Sequence, residues 1–183
     1  MFRLFILTIA LVAALPAFAT EAGWALLREG GHVVLISHAY APGTGDPANF
    51  DIEKCGTQRN LSDRGRQQAR KMGSLFSARA VPTERVLSSR YCRALETARL
   101  AFGASAVEPF EALDSLVSDS STAEAQTADV LAEIRNWTGS GNFILVTHQV
   151  NITALTGVVP REGEALIVTP REDGAHVLAR IIF

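Results

Sequence analysis

Apolar runs too short to be helices alternate along this chain with segments of helical period, and no other feature restricts its fold as much. His32-Val33-Val34-Leu35-Ile36, Arg85-Val86-Leu87-Ser88 and Phe143-Ile144-Leu145-Val146 are rich in β-branched residues, so each predicts a buried strand. A helix capped by Ser62 is expected to run to about Ala80, with Ala69, Met72, Leu75 and Phe76 on one face. Further helices are expected at about 92–102, 122–137 and 151–156, with a brief extended piece near Val107 and irregular chain over 115–121. Strands separated by helices predict a single three-layer α/β domain, a mainly parallel central sheet with helices on both faces. The end of the chain, Glu164 to Val168 and His176 to Ile182, reads as two strands joined through Arg171-Glu172-Asp173-Gly174 in an antiparallel hairpin.

Composition narrows the function. Seventeen basic residues against 19 acidic ones give a net charge of -2, which offers no electrostatic case for a nucleic-acid partner. Lys54 and Lys71 are the only lysines, so nearly all the positive charge is guanidinium, the planar group suited to bidentate phosphate or carboxylate recognition. Arg3 followed by the apolar stretch Leu4 to Leu15 and by Pro16-Ala17-Phe18-Ala19 has the pattern of a secretory signal peptide cleaved after Ala19. The expectation is a signal peptide over 1–19 and one domain over 20–183, periplasmic or secreted, with no stable membrane insertion after cleavage, because no later apolar run reaches a spanning length. In an oxidising compartment the two cysteines, Cys55 and Cys92, are expected to form a disulfide, worth about 4 kcal/mol in the chain-entropy account.

The best strands end at polar clusters: Ile36-Ser37-His38, Leu87-Ser88-Ser89-Arg90-Tyr91-Cys92-Arg93 and Val146-Thr147-His148. Ligands of open parallel sheets bind beyond the carboxyl ends of the strands. If the three strands are parallel neighbours, His38, His148 and Arg93 converge on one crevice. Arg59 can reach it from the breaker-rich stretch 39–60, a long loop of the kind that usually carries function. Two imidazoles and two guanidiniums make a site for a dianion, with one imidazole able to act as a nucleophile towards phosphorus.

Val34-Leu35-Ile36-Ser37-His38-Ala39, Gln58-Arg59-Asn60-Leu61-Ser62-Asp63-Arg64-Gly65-Arg66, the segment SSRYCRALETA over 88–98 and LVTHQVNITALTG over 145–157 occur in an order that resembles the histidine phosphatase, or phosphoglycerate mutase-like, superfamily, and within it the small exported branch. The resemblance spans about 32–157. It implies a phosphomonoesterase with no metal and no cofactor, in which His38 accepts the phosphoryl group and His148 holds the transferring oxygens. It also makes Arg93 a phosphate-binding arginine and Arg59 a further phosphate contact from the loop. The substrate it implies is a small phosphorylated molecule, with an envelope sugar phosphate as the candidate. Mutase chemistry is not expected of an exported chain.

The sequence departs from the family at Ser37, where the family carries an arginine, and losing one preorganised donor costs on the order of 10²–10³ in rate. Arg90, near Arg93, is the candidate to fill that place. The departure also opens a second reading, a degenerate pseudo-phosphatase that binds a phosphorylated ligand without turnover. Asp114 is the candidate general acid, with Glu108, Glu111 and Asp46 as rivals, since Gln149 after the second histidine cannot donate as an acid. His32 and His176 have no motif context and read as structural, while Arg64, Arg66, Arg70 and Lys71 read as the solvated face of the first helix. A zinc site built from Cys55, Cys92, His38 and His148 lacks ligand spacing, and a serine hydrolase lacks its G-x-S-x-G elbow.

Overall fold

The computed structural model describes the backbone of residues 15–117 and 121–183, with side chains from residue 20 onward. The expected signal segment therefore lies outside the described residues, save the backbone of 15–19. Those five residues open a helix, α1 (Leu15–Glu29), that sequence reading passed over. Its residues Trp24 and Leu27 are buried against the sheet, and Trp24 meets Phe76 and Phe183 edge-on at 5.6 and 5.9 Å.

Six strands form one sheet: β1 (Val33–Ser37), β2 (Thr83–Ser88), β3 (Val107–Pro109), β4 (Asn142–Thr147), β5 (Glu164–Arg171) and β6 (Gly174–Ile182). They lie in the order β3-β2-β4-β1-β5-β6, and only β5 runs against the rest. β1 and β4 are buried along their whole lengths, as strands covered on both faces must be. Alternate side chains of β1 serve different cores. Val34 and Ile36 pack with Met72, Phe76 and Ala98 from α2 (Asp63–Ala78) and α3 (Cys92–Phe102). Val33 and Leu35 pack with Val130, Ile134 and Ile152 from α4 (Ala123–Asn136) and α5 (Gln149–Thr156). Helices on both faces of a mainly parallel sheet make the three-layer α/β domain that the alternating pattern predicts, and the last two strands pair as the expected antiparallel hairpin.

Two close approaches fix how chain reaches the sheet's carboxyl end. Ser62 caps α2 by accepting from the Gly65 N–H at 3.2 Å. At Gly65 the helix lies directly on the Tyr40 carbonyl, so a Cβ there has no room. Gly163, with φ of +74°, donates its N–H to the carbonyls of Ser37 and His38 at 3.2 and 2.8 Å and so binds the start of β5 to the end of β1. Among the described residues no helix is long and apolar enough to cross a membrane.

Candidate active site

Register brings the strand-end residues together. Ser37 pairs with Thr147 across β1 and β4, and Ser88 with Val146 across β2 and β4. The ladder continues one step further: the N–H groups of His38 and Ser89 donate to the carbonyls of Thr147 and Val146, each at 2.9 Å. His38, His148 and Ser89 therefore lie side by side just beyond three adjacent strands, with the two imidazoles 5.4 Å apart and nearly edge-to-face. They border a cavity of about 480 Å³ whose lining includes His38, Asp46, Phe50, Arg59, Arg93 and His148.

Hydrogen bonds settle the proton positions on both rings. His38 Nδ1 lies 2.8 Å from the Ala39 carbonyl, which can only accept, so the proton is on Nδ1 and Nε2 keeps its lone pair. That Nε2 is 3.4 Å from an Arg59 terminal nitrogen. Burial lowers the His38 pKa to about 3, and the charges of Arg93 and Arg59 act the same way, so the imidazole is neutral near neutral pH. His148 is also buried and held well below the ordinary histidine range by desolvation, with Arg93 adding to it. Its Nδ1 is 3.3 Å from an Arg93 terminal nitrogen. A guanidinium only donates, so Nδ1 accepts, and Nε2 donates to Ser89 Oγ at 2.9 Å. Ser89 in turn donates to Asp114 Oδ1 at 3.0 Å.

The two guanidiniums come from different elements. Arg93, in the first turn of α3 and 3% exposed, donates to both oxygens of Asp46 at 2.9 and 3.2 Å. Arg59 is steered by the carbonyls of Ala41 and Gly43 at 2.6 and 3.3 Å and by Glu162 at 3.3 Å. Its backbone N–H donates to Asp46 at 2.8 Å. The Nε atoms of Arg59 and Arg93 are buried with no hydrogen-bond partner among the described residues. Two guanidiniums with unspent donors, one carboxylate and two neutral imidazoles suit a phosphoryl dianion.

The Arg59 loop is fastened to α3. Cys55 and Cys92 form a disulfide. Gln58 Oε1 also accepts the Cys92 N–H at 2.9 Å, while its amide donates to the carbonyls of Asp51 and Ile52 at 3.1 and 2.9 Å. With both thiols so joined, neither cysteine is a thiolate ligand. Among the described residues no group of three or more His, Cys, Asp or Glu is placed to hold a metal ion.

Arg90 and Asp114 are not where sequence reasoning put them. Arg90 does not turn toward Ser37. Its Nε donates to Asp114 Oδ2 at 2.7 Å and a terminal nitrogen meets Glu111 at 2.9 Å, both in a neighbouring cavity. Asp114 lines that cavity too and reaches His148 only through Ser89. Asp46, a rival for the acid, is the one carboxylate among the described residues lining the His38 cavity. Ser37 is fully buried, its hydroxyl 3.5 Å from the His38 carbonyl. Ser89 and Glu162 were missed. Ser89 follows a strand directly in the quoted SSRYCR run, and Glu162 sits in the Arg161-Glu162-Gly163-Glu164 run before β5, but a serine or a glutamate in such a place has no signature of its own. His32 and His176 lie away from this cavity, and Arg64, Arg70 and Lys71 are exposed on α2.

A model of the histidine phosphatase superfamily (branch 1) matches residues 53–117, the stretch that carries Arg59, Ser89 and Arg93. The fold is shared with solved phosphatases of low sequence identity. The protein histidine phosphatase SixA complexed with tungstate is 19% identical, with a TM-score of 0.58 over 82% of this chain and 96% of that one. Phosphoserine phosphatase from Entamoeba histolytica, in complex with 3-phosphoglyceric acid, is 13% identical, with a TM-score of 0.59 over 83% of this chain and 97% of that one. A mycobacterial glucosyl-3-phosphoglycerate phosphatase in complex with VO3 is 16% identical, with a TM-score of 0.57 over 81% and 97%. No curated protein sequence matches at a significant level.

Proposed function

We propose that this chain, which has the histidine phosphatase fold, is a phosphomonoesterase that hydrolyses a small phosphate ester through a phosphohistidine on His38. The observation that carries the reading is the 2.8 Å hydrogen bond from His38 Nδ1 to the Ala39 carbonyl, which commits the ring proton and leaves Nε2 as a neutral nucleophile beside Arg59. The bound phosphate takes over the Arg93 donors that Asp46 accepts in the structure, and Asp46, so released, takes up a proton from solvent. Nε2 attacks phosphorus as the bond from phosphorus to the ester oxygen breaks, and the alcohol oxygen takes that proton from Asp46. Water then attacks phosphorus, the P–N bond breaks, Asp46 recovers a proton from the water, and inorganic phosphate leaves. Arg59 and Arg93 neutralise the equatorial oxygens, which is the main task in phosphoryl transfer. His148 aims Arg93 through Nδ1, and Ser89 and Asp114 hold His148 in the tautomer that does so. None of these steps requires a metal.

Hydrolysis of an aryl phosphate in EDTA by the oxidised protein is the test, run beside His38→Ala with trapping of acid-labile, alkali-stable phosphoprotein. Turnover and trapped phosphate both vanish in the variant; a variant that still turns over overturns the reading.

The buried Ser37 supports a second reading, a pseudo-phosphatase that keeps the anion seat and has lost chemistry with the family arginine. A silent native protein that gains activity on Ser37→Arg, while still folded by circular dichroism, selects it. For location we infer export, with residues 1–19 removed and the domain 20–183 periplasmic or secreted. The Cys55–Cys92 disulfide supports an oxidising compartment. An envelope sugar phosphate stays the candidate substrate, and cell fractionation with the mass of the purified N-terminus tests the location.

A further inference from the structure

A second cavity of about 530 Å³ adjoins the first, and Phe50 and Ser115 line both. Phe50 stacks on Tyr91 with ring centroids 5.0 Å apart and planes 24° from parallel. Phe110 and Ile52 extend the apolar wall. Among the described residues of its lining, three carboxylates, Glu111, Asp114 and Asp129, stand against a single guanidinium, Arg90. Two of that guanidinium's nitrogens are held, by Asp114 at 2.7 Å and by Glu111 at 2.9 Å. Asp129 is exposed and makes no hydrogen bond or ion pair among the described residues.

We propose that this second cavity seats the alcohol part of the substrate and selects a ring-bearing group with a positive charge, such as a primary amine, over one with a second anion. The inference rests on the reading of the His38 cavity as the phosphate seat. Continuity through Phe50 and Ser115 places whatever is esterified to that phosphate against the second wall. The aromatic side chains give a ring an apolar face to lie on. Charge then decides among rings. An ammonium finds Asp129 uncompensated, whereas a carboxylate meets three like charges of which the single arginine offsets one. The two cavities thus have opposite polarity, one cationic for the phosphate and one anionic for its alcohol.

The probes are benzylphosphonate and its 4-aminomethyl and 4-carboxy derivatives, which keep the ring and the P–C bond and change only the distal charge. Binding is measured by calorimetry, and turnover is measured on the matching benzyl phosphates. The amine is expected to bind about three- to fivefold more tightly than the unsubstituted ring, as one partly exposed charge pair allows, and the carboxylate more weakly than either. Asp129→Asn should bring the amine down to the unsubstituted ring while leaving the order of the other two. Equal binding of all three, tightest binding of the carboxylate, an amine preference that survives Asp129→Asn, or no binding of any probe overturns the proposal. Discrimination in binding with no turnover of any ester leaves it standing and removes the phosphatase reading instead.

Discussion

The strand-end half of the site and the loop half hold comparable chemistry by different means. His38, His148 and Ser89 are extensions of a parallel ladder, and their backbones are fixed by the same bonds that hold β1, β2 and β4 together. Arg59 and Asp46 sit on chain with almost no regular structure, placed by carbonyls, by Gln58 and by the disulfide to α3. The proposed nucleophile is thus as stable as the core beneath it, whereas the guanidinium proposed to neutralise phosphate depends on one crosslink and a few side-chain bonds. Breaking the two halves separately should give different kinds of loss.

After the loss of His38 itself, the largest effect is expected from Arg59→Ala, which removes the guanidinium beside His38 Nε2. Turnover should fall by about 10²–10³, while the melting temperature stays close to the native value. A large drop in melting temperature would show that Arg59 holds the fold instead.

Next comes the crosslink. Cys55→Ser with Cys92→Ser should cost about 4 kcal/mol of stability on the chain-entropy account, read from urea unfolding. It should also raise KM for the ester by freeing the Arg59 loop. Unchanged kinetics in a destabilised variant would mean that the hydrogen bonds of Arg59 and Gln58 place the loop without the crosslink.

Acid should attack the strand-end half. Both histidines are neutral in the folded protein, His38 with a pKa of about 3 and His148 also far down, mainly through burial. The unfolded chain takes up these protons below about pH 6.5. For His38 stability is therefore full above that pH and is lost as pH falls toward 3, and His148, lowered in the same direction by burial, adds to the loss. Urea midpoints measured from pH 7 to 4 should drop steeply, and His148→Gln should flatten the slope. A native midpoint independent of pH would contradict the neutral assignment.

The smallest effect is expected from Asp114→Asn, which weakens the chain through Ser89 to His148 and should lower turnover about three- to tenfold, the worth of one hydrogen bond. If Asp114 were the proton donor, turnover of an alkyl phosphate would collapse while that of a nitrophenyl ester, whose leaving group needs no proton, would survive. Asp46→Asn is expected to show that contrast.

What was legible in the sequence follows the same division. Strands β1, β2 and β4 announce themselves as β-branched runs, and their carboxyl ends are dictated by topology, so His38, His148 and Arg93 could be placed beside one crevice from spacing and order alone. Arg90 and Asp114 could not, because one backbone position offers a side chain several directions. Arg90 follows the carboxylates of Asp114 and Glu111, partners supplied by a segment whose approach no local pattern encodes. Helix α1 was hidden for another reason. Its first residues share the composition of an export leader, and Trp24 and Leu27 gain their meaning only from the strand they cover.

The order of the sheet also sets when the site can exist. β4 lies between β1 and β2 and bonds to both, yet it is made after α2, α3 and α4. Until that strand inserts, His38 and Arg93 sit on two pieces of chain with no strand between them, and His148 has no place at all. A nascent chain lacking β4 thus carries most of the site's residues without the site. The three strand ends can stand side by side only once the central strand has closed the sheet.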